Sequence, residues 1–305
     1  MPKRLARFAN SQFKQATLPD ARALFGLTDG GTVQDVSGEG EALPFELTRR
    51  DGSKTAYRLD YGGSARPGRP QTALTAKQQS DGVTIDTGPL QLELAAGRQW
   101  LRSAKLDSRE VLAGGGSRSF VDFLRTEPTY VCKTTHAQGT PDEGGFCAQS
   151  IRLEEAGPLR AVVRLEGMTT AKEPTRVVLR LEAFAGRSVV RLFHTAELLH
   201  KDPRVAFVQR MGIELPLAPA DTARLTVGGQ QGPFALPIGA RAGLKQHSHL
   251  AYDAWHQVAG ERFPRIDQTQ HRSRGWLDLS TPQGGLTLVL RDMWQQFPNE
   301  LLADL

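Results

Sequence analysis

A segment in the C-terminal third of the chain concentrates side chains that suit sugar binding. Four of the seven histidines fall within residues 247–271, and this stretch and the residues after it also carry Tyr252, Trp255, Arg274 and Trp276. Aromatic rings cover the apolar faces of sugar rings, while Arg and His hydrogen-bond to hydroxyls and carboxylates. These residue types fit a sugar-binding surface better than a metal site, while an ordinary mixed exposed surface is the default interpretation.

A metal site is a second interpretation of the same segment. On an extended strand His247 and His249 share a face, and Asp253 is near them in sequence. The H-E-x-x-H motif of zinc proteases is absent. We expect no metal and no other cofactor, and the residues leave a divalent cation such as calcium as an open alternative.

His194 is a further candidate outside this segment. Strand alternation puts it on one face with Val190 and Leu192, which favours a buried histidine hydrogen-bonded to the backbone over a catalytic one. The sequence has no G-x-S-x-G elbow and no phosphate-binding loop. These absences argue against serine hydrolases of the elbow type and against nucleotide-dependent enzymes.

The two cysteines and the N-terminus bear on the compartment. Cys132 and Cys147 flank a Gly- and Pro-containing loop, and either a disulfide in an oxidising compartment or two unpaired thiols fits that spacing. Residues 1–17 lack the apolar core of a signal peptide. We therefore expect a cytoplasmic protein as the sequence is written, and an exported one if the true N-terminus lies upstream.

Alternating apolar and polar residues predict that most of the chain is antiparallel β structure. Two hairpins are predicted, one from residues 151–154 and 159–166 and the other from residues 176–184 and 188–196. In the first hairpin, alternation predicts a buried face made of Leu159, Ala161, Val163 and Leu165. Further strands are predicted at 83–86, 90–94, 205–217, 223–227, 276–279 and 286–291. Strands separated by turns indicate a β-sandwich or a barrel.

Composition sets limits on the fold and on partners. The chain has 31 Gly and 18 Pro among 305 residues, so it turns often, and only residues 18–25 and 294–302 show weak helix signals. A polar Gly/Pro-rich stretch at 62–70 predicts a domain boundary near residues 62–82. A net charge of +5 without a basic cluster argues against nucleic acid. No apolar run reaches the ~20 residues of a membrane span.

Several stretches, taken in order, resemble the rhamnogalacturonan exolyase family, the PcRGLX/YetA-like polysaccharide lyases. The stretches that carry the resemblance are residues 13–20 with 27–31, 50–54 with 57–61, 155–163 with 193–195 and 202–204, and 275–279 with 291–301. They are spread over nearly the whole chain. No single one of them is diagnostic, so the resemblance depends on their order and spacing.

The resemblance implies an all-β fold, with a small RIFT-type β-barrel followed by a larger antiparallel β-sandwich. The barrel would occupy residues 1–82, clipped at its N-terminus, and the sandwich residues 83–305. The family's C-terminal α/α toroid would be absent. The implied partner is an acidic polysaccharide or oligosaccharide, with neither nucleic acid nor a membrane involved.

The implied function is the non-toroid portion of a pectin-degrading exo-type lyase. Such an enzyme would cleave by β-elimination at galacturonate: a base removes the C5 proton while cationic or polar groups stabilise the carboxylate. The alternative is a non-catalytic carbohydrate-binding β module or an inactive remnant. The catalytic candidates are His194, His256, Tyr252 and Arg274. The substrate-binding candidates are His249, Trp255, Trp276 and Trp294.

Overall fold

We describe the chain from a computed structural model. The residues that the structure describes are 74–114, 116–125, 139–199, 206–217, 223–230, 232–236, 241–258, 261–265, 272–282 and 284–304, with the backbone of strands 42–48 and 54–60. These residues form 22 β-strands and contain no helix. Accordingly, a membrane-spanning helix is not found in the part of the chain described.

The chain divides into two compact units, Met1–Arg69 and Pro70–Leu305. In the first unit, β1 (Ala42–Thr48) and β2 (Lys54–Asp60) form an antiparallel hairpin. The weak helix signal at residues 18–25 and the first stretches of the family resemblance lie outside the described residues.

The first part of the second unit contains three antiparallel sheets. Their strands are β3 (Thr75–Gln78), β4 (Gly82–Asp86), β5 (Leu90–Ala95), β6 (Leu101–Leu106), β7 (Arg109–Glu110), β8 (Arg118–Arg125), β9 (Thr140–Asp142), β10 (Phe146–Ala156), β11 (Arg160–Thr169), β12 (Thr175–Phe184), β13 (Val190–Leu198) and β14 (Ala206–Glu214). The strand orders are β3-β4-β5-β6-β7, β14-β8-β9 and β10-β11-β12-β13.

The second part of this unit contains two four-stranded sheets. Their strands are β15 (Arg224–Gly229), β16 (Gly232–Leu236), β17 (Arg241–Ser248), β18 (Ala251–Val258), β19 (Glu261–Arg265), β20 (Trp276–Thr281), β21 (Gly284–Val289) and β22 (Asn299–Asp304). The strand orders are β16-β15-β20-β21 and β19-β18-β17-β22.

The sheets correct the predicted architecture. All-β structure is confirmed, but the sheets are arranged as a five-bladed β-propeller, so the prediction of a RIFT-type barrel followed by a sandwich is wrong. Alternation reports which face of a strand is buried, and it carries no information on which strands pair. The pairing of β8 with β14, for example, joins segments far apart in sequence.

Two hydrophobic clusters hold these five sheets. The first cluster is built from strands between β3 and β14 and includes fully buried Trp100, Phe123 and Phe146. The second is built from strands between β15 and β22, together with Met293, and includes Leu225 and Leu244. No described strand of the first group pairs with a described strand of the second. Each cluster therefore has its own set of sheets.

The two predicted hairpins are confirmed. The antiparallel pairs β10–β11 and β12–β13 contain the predicted residues, with the turns near the predicted positions. The weak helix signal at 294–302 is wrong, because residues 291–295 form turns and Asn299–Asp304 pairs with β17. Pairing along a sheet outweighs the propensity of such a short segment.

Candidate functional site

Three of the candidate residues converge on the end of β15. The Tyr252 hydroxyl accepts a hydrogen bond from the Gln230 backbone N–H at 3.2 Å. Arg274 donates from Nη2 to the Gln230 carbonyl at 3.4 Å, and its own N–H donates to the Gly228 carbonyl at 2.8 Å. The Trp276 indole lies so close to Gly228 that a side chain there would overlap it. The structure thus brings Tyr252, Arg274 and Trp276 to one turn.

A second group surrounds the turn at residues 291–298, which connects β21 to β22. The Arg272 guanidinium lies over the Trp294 ring, 4.0 Å from its centroid. The His249 and Phe297 rings are 6.1 Å apart, tilted by 40°. His249 and Arg272 are exposed, and Phe297 is 44% exposed. We call these four residues the loop platform.

Trp255 lies apart from both groups, on the opposite face of β18 from Tyr252. Its ring packs beside Gly243, where an added Cβ would come within 3.3 Å of the indole, and its Nε1 donates to Glu300 Oε1 at 3.0 Å. Trp255 is buried. An indole that is covered and hydrogen-bonded in this way acts as a packing residue rather than as an open sugar-stacking surface.

His256 lies on the inner face of β18, paired with Ala242 of β17. It is half-buried. Tyr252 is on the same face, four residues earlier, which is roughly 13 Å along a strand. The two side chains therefore do not form a catalytic pair.

The metal interpretation gains no support from the described residues. His247 Nε2 lies 2.7 Å from Asp253 Oδ2 on the outer face of β17 and β18. His249 instead faces Phe297. Within the described ranges, no group of three or more His, Cys, Asp or Glu side chains is arranged to hold a metal ion. His271 lies outside those ranges.

His194 is half-buried on β13, away from the segment around Tyr252 and next to strands that build the first hydrophobic cluster. Its Nε2 lies 2.8 Å from the Ser119 hydroxyl on β8, and Ser119 is fully buried. Burial lowers the pKa of His194 to about 4, because a charged imidazolium is poorly solvated in that position. At neutral pH His194 is therefore a neutral, hydrogen-bonded, half-buried residue. The expected partner was backbone, and the actual one is the Ser119 side chain.

A group that the sequence analysis missed lies on the outer face of the β14-β8-β9 sheet. Arg118, Phe120 and Asp122 alternate along β8, opposite Glu214, Gly212 and Arg210 of β14. We call these six residues the arginine stripe. Alternation along β8 alone would have shown that Arg118 and Phe120 share a face. The contribution from β14 had no signal in the sequence, because nothing there fixes which distant strand pairs with β8.

The structure describes only one of the two cysteines, so the proposed disulfide is not tested. Cys147 lies in β10 as a half-buried free thiol. Cys132 is outside the described residues.

Comparison with known proteins places the chain in a family. Residues 74–226 match the family described as the PcRGLX-like protein central beta sandwich domain. The uncharacterized protein YetA of Bacillus subtilis (strain 168) is 27% identical over 154 residues. That alignment covers 49% of this chain and 17% of YetA, so the chain spans a small part of the relative's length.

The family match covers half of the chain and coincides with the strands that build the first hydrophobic cluster. It confirms the family that the ordered stretches predicted. The chain belongs to the PcRGLX-like family, whose central domain matches its residues 74–226.

Proposed function

We propose that this chain is a polysaccharide-binding β portion of a rhamnogalacturonan-degrading protein, and that the loop platform holds its acidic polysaccharide. The family match supports a polysaccharide-related role. The observation that carries the proposal is the platform itself, where exposed Phe297 and half-buried Trp294 lie beside exposed His249 and Arg272.

The platform has the chemistry that an acidic sugar requires. Aromatic rings contribute apolar area for the C–H faces of a sugar ring. A guanidinium offers a planar set of donors that matches a carboxylate, and the stacking of Arg272 on Trp294 holds those donors in one orientation. Galacturonate presents both features, an apolar ring face and a carboxylate.

Binding is favoured over catalysis because the catalytic candidates are dispersed. His194 contacts Ser119 on β8, whereas Tyr252 and Arg274 meet at Gln230 after β15. His256 lies further along β18, away from the Tyr252 and Arg274 contacts. Proton abstraction needs a base and a carboxylate-stabilising group within reach of one sugar.

We expect Phe297→Ala to weaken the affinity for a rhamnogalacturonan oligosaccharide by about tenfold, since the change removes a stacking surface that contributes about 1 kcal/mol or more. Isothermal titration calorimetry measures this directly. The matched control is Phe193→Ala, because Phe193 is an equally exposed aromatic, 49% against 44% for Phe297, on a different sheet. Equal losses in the two variants would refute the platform.

A lyase activity is the second candidate, favoured by the Tyr252–Gln230–Arg274 contacts. In this role Tyr252 acts as its phenolate and takes the C5 proton, the electrons form a C4–C5 double bond, and the C4–O bond breaks toward the leaving sugar, while Arg274 pairs with the carboxylate. Tyr252 is only 4% exposed, so this role requires the sugar to reach its hydroxyl at the Gln230 turn. The unsaturated uronate absorbs in the ultraviolet. Absorbance formed by the unmodified chain and lost in Tyr252→Phe would support catalysis over binding alone.

A further inference from the structure

We propose that the arginine stripe of the β14-β8-β9 sheet is a second carboxylate-binding surface, which takes uronate carboxylates of an acidic polysaccharide. The identity of that glycan rests on the proposed function above. The surface itself is separate from the loop platform, since its residues belong to strands of the first hydrophobic cluster.

The pairing of β8 with β14 creates the surface. Phe120 pairs with Gly212, and an added Cβ at Gly212 would lie 3.1 Å from Phe120 Cζ. The ring therefore extends across the neighbouring strand over a position that has no side chain. A larger residue at 212 would displace the ring.

Two guanidiniums lie over this single ring. Arg118 Cζ is 5.4 Å from the Phe120 centroid, and Arg210 Cζ is 5.1 Å from it. The ring is only 7% exposed, whereas the arginine side chains are 43% and 58% exposed. Phe120 thus acts as a support, and the guanidinium groups are what the surface presents to solvent.

The two arginines are held to different degrees. Arg210 Nη2 donates to Asp122 Oδ2 at 2.6 Å, and this buried carboxylate also accepts from the Gly144 N–H at 3.0 Å. Arg118 reaches Glu214 only at 3.5 Å, and both of those side chains are well exposed. Arg210 is therefore fixed in place, while Arg118 is joined to Glu214 by a weak, solvent-screened contact.

This arrangement suits a carboxylate. A ligand carboxylate can replace Glu214 beside Arg118 at little cost, and the fixed guanidinium of Arg210 is already oriented. The stripe has two positive and two negative side chains, so it has no excess charge to attract a polyphosphate backbone. A single carboxylate that exchanges with Glu214 fits this balanced set of charges better.

The test is an NMR titration with galacturonate trisaccharide, following the arginine Nε–H and tryptophan indole signals of the full chain. We expect saturable shifts at Arg118 and Arg210 and none at Arg191. Arg191 is the matched reference, since it stacks on Phe184 at 5.2 Å and contacts Glu182 at 3.9 Å, but no second arginine of the described ranges lies over that ring. Arg160 also contacts Glu182, at 3.7 Å. A neutral galactose trisaccharide should shift none of the three.

Variants add a second readout, with affinity measured by calorimetry. Arg118→Gln should weaken trisaccharide affinity about fivefold, Arg191→Gln should leave it unchanged, and Glu214→Gln should tighten it by removing the competing carboxylate. If Arg118→Gln and Arg191→Gln weaken the affinity equally, the loss comes from the change in net charge alone, and the inference is overturned.

The same titration separates this inference from the proposed function. A shift at the Trp294 indole with unchanged Arg118 and Arg210 signals overturns the stripe and supports the platform. Shifts at Arg118 and Arg210 with an unchanged Trp294 indole signal support the stripe and overturn the platform. No shift at any of these signals overturns both.

Discussion

His194 is a residue whose charge state is controlled by the core that surrounds it. Burial lowers its pKa to about 4, against 6.5 for the ordinary side chain. The unfolded chain therefore binds more protons than the folded one between these two pKa values, and the free energy of unfolding falls as pH falls through that window.

We predict that the free energy of unfolding decreases by about 2 kcal/mol between pH 7 and pH 5 because of this histidine. Urea unfolding at the two pH values measures the change. His194→Gln, which can keep a hydrogen bond to Ser119, should lose most of it. His249→Gln, at an exposed position, is the matched control. An unchanged pH dependence in His194→Gln would contradict this account of the residue.

At the residue scale, the sequence predicted which side chains are buried, but not which side chains they hydrogen-bond to. Alternation correctly predicted that Ala161, Val163 and Leu165 lie on a buried face, but Leu159 lies in the turn and is 61% exposed. The sequence also predicted a buried His194, whereas its partner Ser119 comes from a strand about 75 residues earlier in the chain. Hydrogen bonds between distant strands have no local signature.

At the element scale, the β10–β11 pair depends on a close backbone approach. Gly167 of β11 pairs with Ala148 of β10, beside a register shift between Ala148 and Ser150. A Cβ at Gly167 would overlap the Cys147 carbonyl oxygen and would approach the Gln149 nitrogen to 2.8 Å. Backbone atoms in a sheet cannot move aside without breaking ladder hydrogen bonds.

We therefore expect Gly167→Ala to lower the free energy of unfolding by about 2–3 kcal/mol, as overpacked core substitutions do. Gly114→Ala is the matched control, because nothing lies within 4 Å of the Cβ that it would add. It should be neutral or slightly stabilising. Chemical denaturation of the two variants compares them, and equal stability would show that the sheet accommodates the extra carbon.

Element prediction succeeded where strands pair with their neighbours in sequence. The two hairpins needed only alternation and a turn signal, which local sequence carries. The sheet of β8, β9 and β14 was not predicted, because its order depends on pairing across long separations. The arginine stripe was missed for the same reason.

At the scale of the whole molecule, the two hydrophobic clusters predict two unfolding transitions. The clusters share no described strand pair, so each can lose its packing separately. Leu179→Ala in the first cluster and Leu225→Ala in the second each remove a fully buried side chain and should cost about 2–5 kcal/mol. In differential scanning calorimetry each variant should lower one transition only. A single transition lowered by both variants would show one cooperative unit.

The arrangement of the sheets was the part of the fold least accessible from sequence. The resemblance identified the family correctly, since residues 74–226 match it. The RIFT-type barrel and the sandwich that it implied were wrong for this chain, whose sheets form five blades. The loop platform was predicted only in part. The sequence indicates Trp294 as a sugar-binding candidate, but its contact with Arg272 depends on how the turn at 291–298 folds.

The most direct test of the central claim is a calorimetric titration of the unmodified chain with a rhamnogalacturonan oligosaccharide, compared with a neutral galactan oligosaccharide of the same length. The account predicts saturable binding of the acidic ligand that weakens as salt concentration rises, because guanidinium–carboxylate pairs at the surface are screened. The neutral ligand should bind more weakly and with little salt dependence. Absence of saturable binding, or equal binding of both ligands, would contradict the account.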